Sequence, residues 1–175
     1  MQKFKRIFFL VLLLLLIIFV YVGNIGKIEL SIDQSLSNDT VGGISDGIEI
    51  EQSFYSSVNN ISGFSIKFGT YMRENSGDIV IGIKRAKTRK IIYSTTVKAK
   101  SIVDNAYFDY RFPPITVSKG KEYILFIKSN GSPVDKSITV YKSSKDHYKD
   151  GSLFQNGVRM DGDLVFRVVY NKTLF

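Results

Sequence analysis

The sequence predicts an all-β fold: an antiparallel β-sandwich, jelly-roll-like, of about eight to ten strands, preceded by one N-terminal transmembrane helix. Three observations carry that reading. Residues Ile7 to Val22 are sixteen consecutive apolar residues. From Ile48 to Tyr170, period-two segments recur with turn residues between them. Outside the apolar run no segment shows a helical period. The boundaries expected from this pattern are 1–26 for a basic tip and anchor, 27–47 for an edge strand, linker and loop, and 48–175 for the sandwich.

Each element follows from local chemistry. As a helix at about 1.5 Å per residue, Ile7 to Val22 spans about 24 Å of a hydrocarbon layer about 30 Å thick, and Phe4 and Gly23 to Ile25 extend it. A buried core helix would show a polar stripe, and this run has none. A cleaved secretory signal competes with an uncleaved anchor; the exit segment Tyr21-Val-Gly-Asn-Ile-Gly-Lys27 offers no small-x-small site, which favours the anchor. The Gly-Phe cleavage pair and early Glu of a pilin-type start are missing. Lys3, Lys5 and Arg6 precede the run and no acid occurs before Glu29, so the short basic side is expected in the cytoplasm and the rest outside the cell membrane.

Lys27 to Asp33 alternates briefly, and Ser35 to Gly47 is a polar Ser/Asn/Asp/Gly stretch. Alternation then places Ile48, Ile50, Gln52 and Phe54 on one face. It does the same for Phe64, Ile66 and Phe68; for Ile79, Ile81 and Ile83; for Ile91, Tyr93, Thr95 and Val97; and for Phe108, Tyr110 and Phe112. Pro113-Pro114 is expected to stop that last strand. Tyr123 to Ile127, apolar on both faces, reads as a central strand. Asn156-Gly157 signals a tight hairpin, and Leu164 to Tyr170 closes the domain.

Composition restricts function. The 175 residues contain no Cys, no Trp and one His (His147), which removes disulfides, thiolate nucleophiles, Cys-based metal sites and multi-His sites. No cofactor, metal or enzymatic activity is expected. Gly43-Ile-Ser-Asp-Gly47 spells a hydrolase elbow around Ser45, but a polar loop precedes it and a strand follows, where the elbow needs a strand before and a helix after. Glu49 and Glu51 lie two apart on one strand face, a separation that suits a glycosidase carboxyl pair but reads first as a solvated outer face. Asp161-Gly-Asp163 with Asp146 and Asp150 offers hard oxygen ligands without the spacing of a dedicated calcium loop. Lys84, Arg85, Lys87, Arg89 and Lys90 put five cations at a hairpin tip in a chain of net charge +8, a patch for an anionic partner such as phosphate or uronate. Nucleic acid is not expected, since no aromatics interleave these cations. Sugar recognition needs flat rings beside planar polar groups. Tyr71, Tyr107, Tyr141 and Tyr148 supply the rings, with Arg73, Asn75, Asp109, Arg111, Asp146 and His147 as polar partners.

Several stretches together, Gln52-Ser-Phe, Asn59-Asn-Ile-Ser-Gly-Phe64, Gly69-Thr-Tyr-Met-Arg-Glu-Asn-Ser-Gly77, Asp104-Asn-Ala-Tyr-Phe-Asp-Tyr-Arg-Phe-Pro-Pro114, Tyr141-Lys-Ser-Ser-Lys-Asp146 and Gly151-Ser-Leu-Phe-Gln-Asn-Gly-Val158, resemble a bacterial and archaeal extracytoplasmic β-sandwich module of membrane proteins in cell-surface polysaccharide assembly. The resemblance covers about Ile48 to Tyr170 and implies a jelly roll similar to carbohydrate-binding modules, with no residue roles to carry over. The resulting expectation is a single-pass, non-catalytic module that binds or organises surface glycan. The alternative is an accessory subunit docking onto a multi-span membrane protein.

Overall fold

The computed structural model describes residues 2–24 and 27–173, with side chains of the first segment as far as Phe19. Residues Gln2–Asn24 form helix α1. Its side chains from Ile7 to Phe19 are all exposed, between 47% and 67%, so the apolar surface runs all round the helix rather than along one stripe. Among the described residues no helix is long and apolar enough to cross a membrane.

The remainder forms two antiparallel sheets. The seven-stranded sheet is built on β1 (Lys27–Gln34), β13 (Phe166–Lys172), β4 (Ile61–Gly69), β9 (Thr139–Ser143) and β12 (Asp163–Leu164), in that order. In the same sheet β7 (Ala106–Ile115) pairs with β4, and β2 (Asp39–Thr40) with β9. The six-stranded sheet runs β11 (Val158–Met160), β10 (Leu153–Gln155), β3 (Glu49–Ser56), β8 (Lys121–Asn130), β5 (Asp78–Arg85) and β6 (Ile91–Lys98).

The architecture is β-sandwich-like because the inward residues of both sheets form one core. Phe54, Tyr123, Leu125, Ile79 and Ile81 come from one side, and Phe64, Ile66, Phe68, Val140 and Phe166 from the other. Rings meet across the interface: Phe54 and Phe166 lie 6.5 Å apart, and Tyr93 stacks on Phe112 at 4.9 Å. Each such side chain fully buried contributes about 1.5–3 kcal/mol. As its two-sided apolar pattern implies, β8 is central, flanked by β3 and β5. Asn156 and Gly157, at φ 50 and 79, make the two-residue turn between β10 and β11.

Several expectations are corrected. Among the described residues thirteen strands stand where eight to ten were expected, because two- and three-residue segments (β2, β10, β11, β12) pair as well. Pro113 and Pro114 do not end β7, which continues to Ile115. The strand pairs on one side only, with a register shift opposite Ile61 to Gly63, so the missing proline donors cost no ladder bond. Ser35 to Gly47 runs as loop apart from the two-residue β2, and is tied to the body by Val41 N–H to Val140 O (3.1 Å), by Ile44 N–H to Ile138 O (2.8 Å), and by the fully buried Ile44 side chain.

Candidate functional site

The open face of the seven-stranded sheet gathers three of the ring and arginine candidates. Alternation that buries Phe64, Ile66 and Phe68 turns Ser65 and Lys67 of β4 outward. On β7 the same rule buries Phe112 and turns Tyr107, Asp109 and Arg111 outward. Register aligns Asp33, Arg167, Ser65 and Asp109 across β1, β13, β4 and β7. Ser65 donates to Asp109, and Arg167 Nε donates to Asp33 at 3.0 Å, the contact that chiefly raises the Arg167 pKa. Beside that row the Arg167 guanidinium lies 4.2 Å from the Tyr107 ring centre, and Lys67 Nζ lies 4.8 Å from that of Tyr141. Burial pushes the Tyr107 hydroxyl pKa up. A Cβ on Gly63 would sit 2.7 Å from Arg111 Cδ, so the arginine stem crosses the sheet over that glycine. A depression of about 330 Å³, lined among others by Leu30, Asp109, Arg111 and Arg167, opens on this face. Two tyrosine rings, two guanidiniums and two carboxylates thus share one surface.

The other candidates lie elsewhere. Tyr71 is on the turn after β4 at φ 55, with the Arg73 guanidinium 4.9 Å from its ring. Arg73 donates to Ser137 O at 2.9 Å and to Asn75 Oδ1 at 3.3 Å, while buried Asn75 donates to Thr70 O at 3.0 Å. Asp146 pairs with Lys149 at 3.4 Å on an exposed loop. That loop is held by buried Asp163, whose Oδ2 accepts the backbone N–H groups of His147 (2.7 Å) and Tyr148 (2.9 Å). Tyr148 sits edge-on against Phe166 at 5.4 Å and donates to Tyr55 O at 3.3 Å; burial is the main reason its hydroxyl is pushed up to about 12. Its ring therefore packs against the core. The Asp163 carboxylate organises a loop, and among the described residues no three His, Cys, Asp or Glu side chains are placed to hold a metal ion.

The basic hairpin between β5 and β6 divides in two. Lys84 Nζ bonds to Glu49 and, at 2.9 Å, to Glu51, and lies 4.4 Å from the Phe126 ring centre. Arg89 Nη2 reaches both Glu51 oxygens at 2.7 Å. Glu51 is 2% exposed, which corrects the expectation of a solvated outer face. Burial opposes its charge, yet the bonds and charges of Lys84 and Arg89 outweigh that and hold the carboxyl below its ordinary range. A carboxylate clamped by two cations is a poor proton donor, so a glycosidase role gains nothing from this geometry. Arg85, Lys87 and Lys90 stay exposed. Between the hairpin and the sheet lies a groove of about 630 Å³ whose lining includes Ile124, Phe154, Arg85, Lys87, Lys121 and Glu122. Sequence reading missed the groove and the burial of Glu51. Two acids on β3, a lysine on β5 and an arginine in the turn that follows it were the available signal.

The chain matches no protein-family model and no curated protein.

Proposed function

We propose that this protein is a membrane-anchored, extracytoplasmic β-sandwich of jelly-roll type that binds cell-surface glycan without catalysis. The observation that carries the reading is the convergence of Tyr107, Tyr141 and Arg111 with Asp109 and Arg167 on one open sheet face beside a depression. Tyrosine rings offer apolar faces to sugar C–H groups, and the planar guanidinium and carboxylate can satisfy hydroxyls in pairs. Its membrane location rests on the uninterrupted run Ile7 to Val22 with three cations before it.

The test is titration of the full chain, held in zwitterionic lipid nanodiscs, with fragments of surface polysaccharide. Saturable binding is expected, and Tyr107→Ala or Tyr141→Ala should each weaken it about five- to tenfold. Flat titrations across a broad glycan panel overturn the reading. The all-round apolar surface of α1 favours one second reading, an accessory subunit of a multi-span membrane protein of polysaccharide assembly. It predicts co-purification of that partner, and recovery of a clean monomer from mild detergent counts against it.

A further inference from the structure

We infer that the end of the two-sheet body nearest α1 is a surface for anionic lipid headgroups, with the groove beside the β5–β6 hairpin receiving their phosphate. The inference rests on the reading of α1 as an anchor. Only Ile25 and Gly26 separate Asn24 from Lys27. Three Cα steps reach at most about 11 Å, so β1 starts within that distance of the helix end. A sandwich so tightly tethered presents that end to the headgroup layer.

Strand register identifies the other residues at this end. Lys27 lies opposite Lys172, Tyr170 opposite Ile61, and Ile61 opposite Ile115. The short connection from Ser56 to Ile61 carries the same end into the second sheet, and Ser118 ties the two by accepting from Ile61 N–H (3.3 Å) and donating to Val58 O (2.9 Å). There Ser56 faces Lys121 and Tyr123 faces Arg85, while Ala86 N–H reaches Glu122 O at 3.2 Å. The hairpin therefore projects from the end where the helix joins.

Charge at this end is mostly positive. Arg85, Lys87, Lys90 and Lys119 are exposed and have no ion-pair partner among the described residues, and Lys27 and Lys172 share Glu29. Glu122 is the acid beside the groove. The turns at the opposite end mix signs, with Glu74, Asp104 and Asp135 beside Lys100 and Lys136. An anionic membrane attracts each nearby Lys or Arg, and the attraction fades within a Debye length, so only cations held this close to the bilayer count. The groove adds shape: its apolar floor of Ile124 and Phe154 under a rim of Arg85, Lys87 and Lys121 suits a phosphate with apolar chain beside it.

The experiment is backbone hydrogen exchange on the full chain in nanodiscs of phosphatidylcholine alone and of phosphatidylcholine with phosphatidylglycerol. Exchange in segments 84–91 and 116–121 is expected to slow at least about fivefold in the anionic discs and to recover at high salt. The double variant Arg85→Gln, Lys87→Gln should lose that slowing while exchange in β4 and β8 stays as in the parent. If the chain fails to enter discs at all, the anchor reading falls and this inference with it. If it enters but the two lipid compositions give equal exchange, the headgroup surface is refuted while the anchor stands. Equal slowing by inorganic phosphate in phosphatidylcholine discs would also refute it, by making the groove a free-anion site.

Discussion

The outer faces of the two sheets are built by the same alternation and end in opposite states. Each has a glycine in a central strand with a neighbour's side chain laid across it: Arg111 over Gly63 in the seven-stranded sheet, Phe126 over Gly82 in the six-stranded one. On the first face the crossing side chain is exposed, and its neighbours Asp33 and Arg167 form an ion pair open to water. On the second, Phe126 is 2% and Ile124 5% exposed, with the Lys84 ammonium over the Phe126 ring and Lys84 and Arg89 closing onto Glu51. A residue that points away from the core is therefore not thereby in solvent. The open face keeps its polar groups and rings in reach of water, whereas the covered face spends its polar groups on holding a hairpin in place.

The contrast is broken most sharply at Glu51. Glu51→Ala should destabilise the protein by about 3 kcal/mol in urea unfolding, since it leaves the buried Lys84 with one carboxylate fewer. Asp33→Ala on the open face should cost no more than about 1 kcal/mol. Equal costs would mean that burial does not set the Glu51 pair apart. The same carboxyl sets a pH dependence. Its folded pKa is depressed, so its contribution is complete above the unfolded value near about 4.3 and drains away as pH falls through the lower folded value. Urea midpoints measured from pH 6 to pH 2.5 should fall along that range, and Glu51→Gln should flatten the fall.

Gly82 tests the covered face from beneath. A Cβ there would meet Tyr93 O at 2.5 Å and Phe126 Cε1 at 2.6 Å. With the ring pinned under Lys84, neither neighbour gives way easily, and Gly82→Ala should cost about 1–3 kcal/mol in thermal or urea unfolding. Wild-type stability in that variant would show that Phe126 has room to move.

What the sequence made legible was the inward half of each strand. Phe64, Ile66, Phe68, Ile79, Ile81 and Ile83 are buried where period two places them, and Asn156-Gly157 turns as its φ preferences require. What it concealed was anything decided by contacts far apart in the chain. Glu51 points outward as alternation demands, but its burial depends on Arg89, thirty-eight residues later. Tyr148 reads as a loop ring, and becomes part of the packing only because Asp163, fifteen residues on, captures two backbone N–H groups of its loop. Pro113 and Pro114 read as a stop, yet an edge strand has a side on which no donor is needed. On the candidate glycan face, Tyr107, Arg111 and Tyr141 were individually visible. Their meeting depends on β9 and β7 both reaching β4, which no local pattern encodes.

The smallest expected stability effect belongs to Tyr107, on the face proposed to bind glycan. Tyr107 is half-buried and holds Arg167 against its ring, a contact worth about 0.5–1 kcal/mol at an exposed site, so Tyr107→Ala should lower the unfolding midpoint only slightly. Tyr107→Phe keeps the ring and the Arg167 contact and removes only the hydroxyl. If the open face recognises sugar through ring stacking, the Phe variant retains glycan affinity while the Ala variant loses about five- to tenfold at nearly equal stability. If both variants bind alike, the ring serves only to pair strands, and the two faces differ in cover but not in purpose.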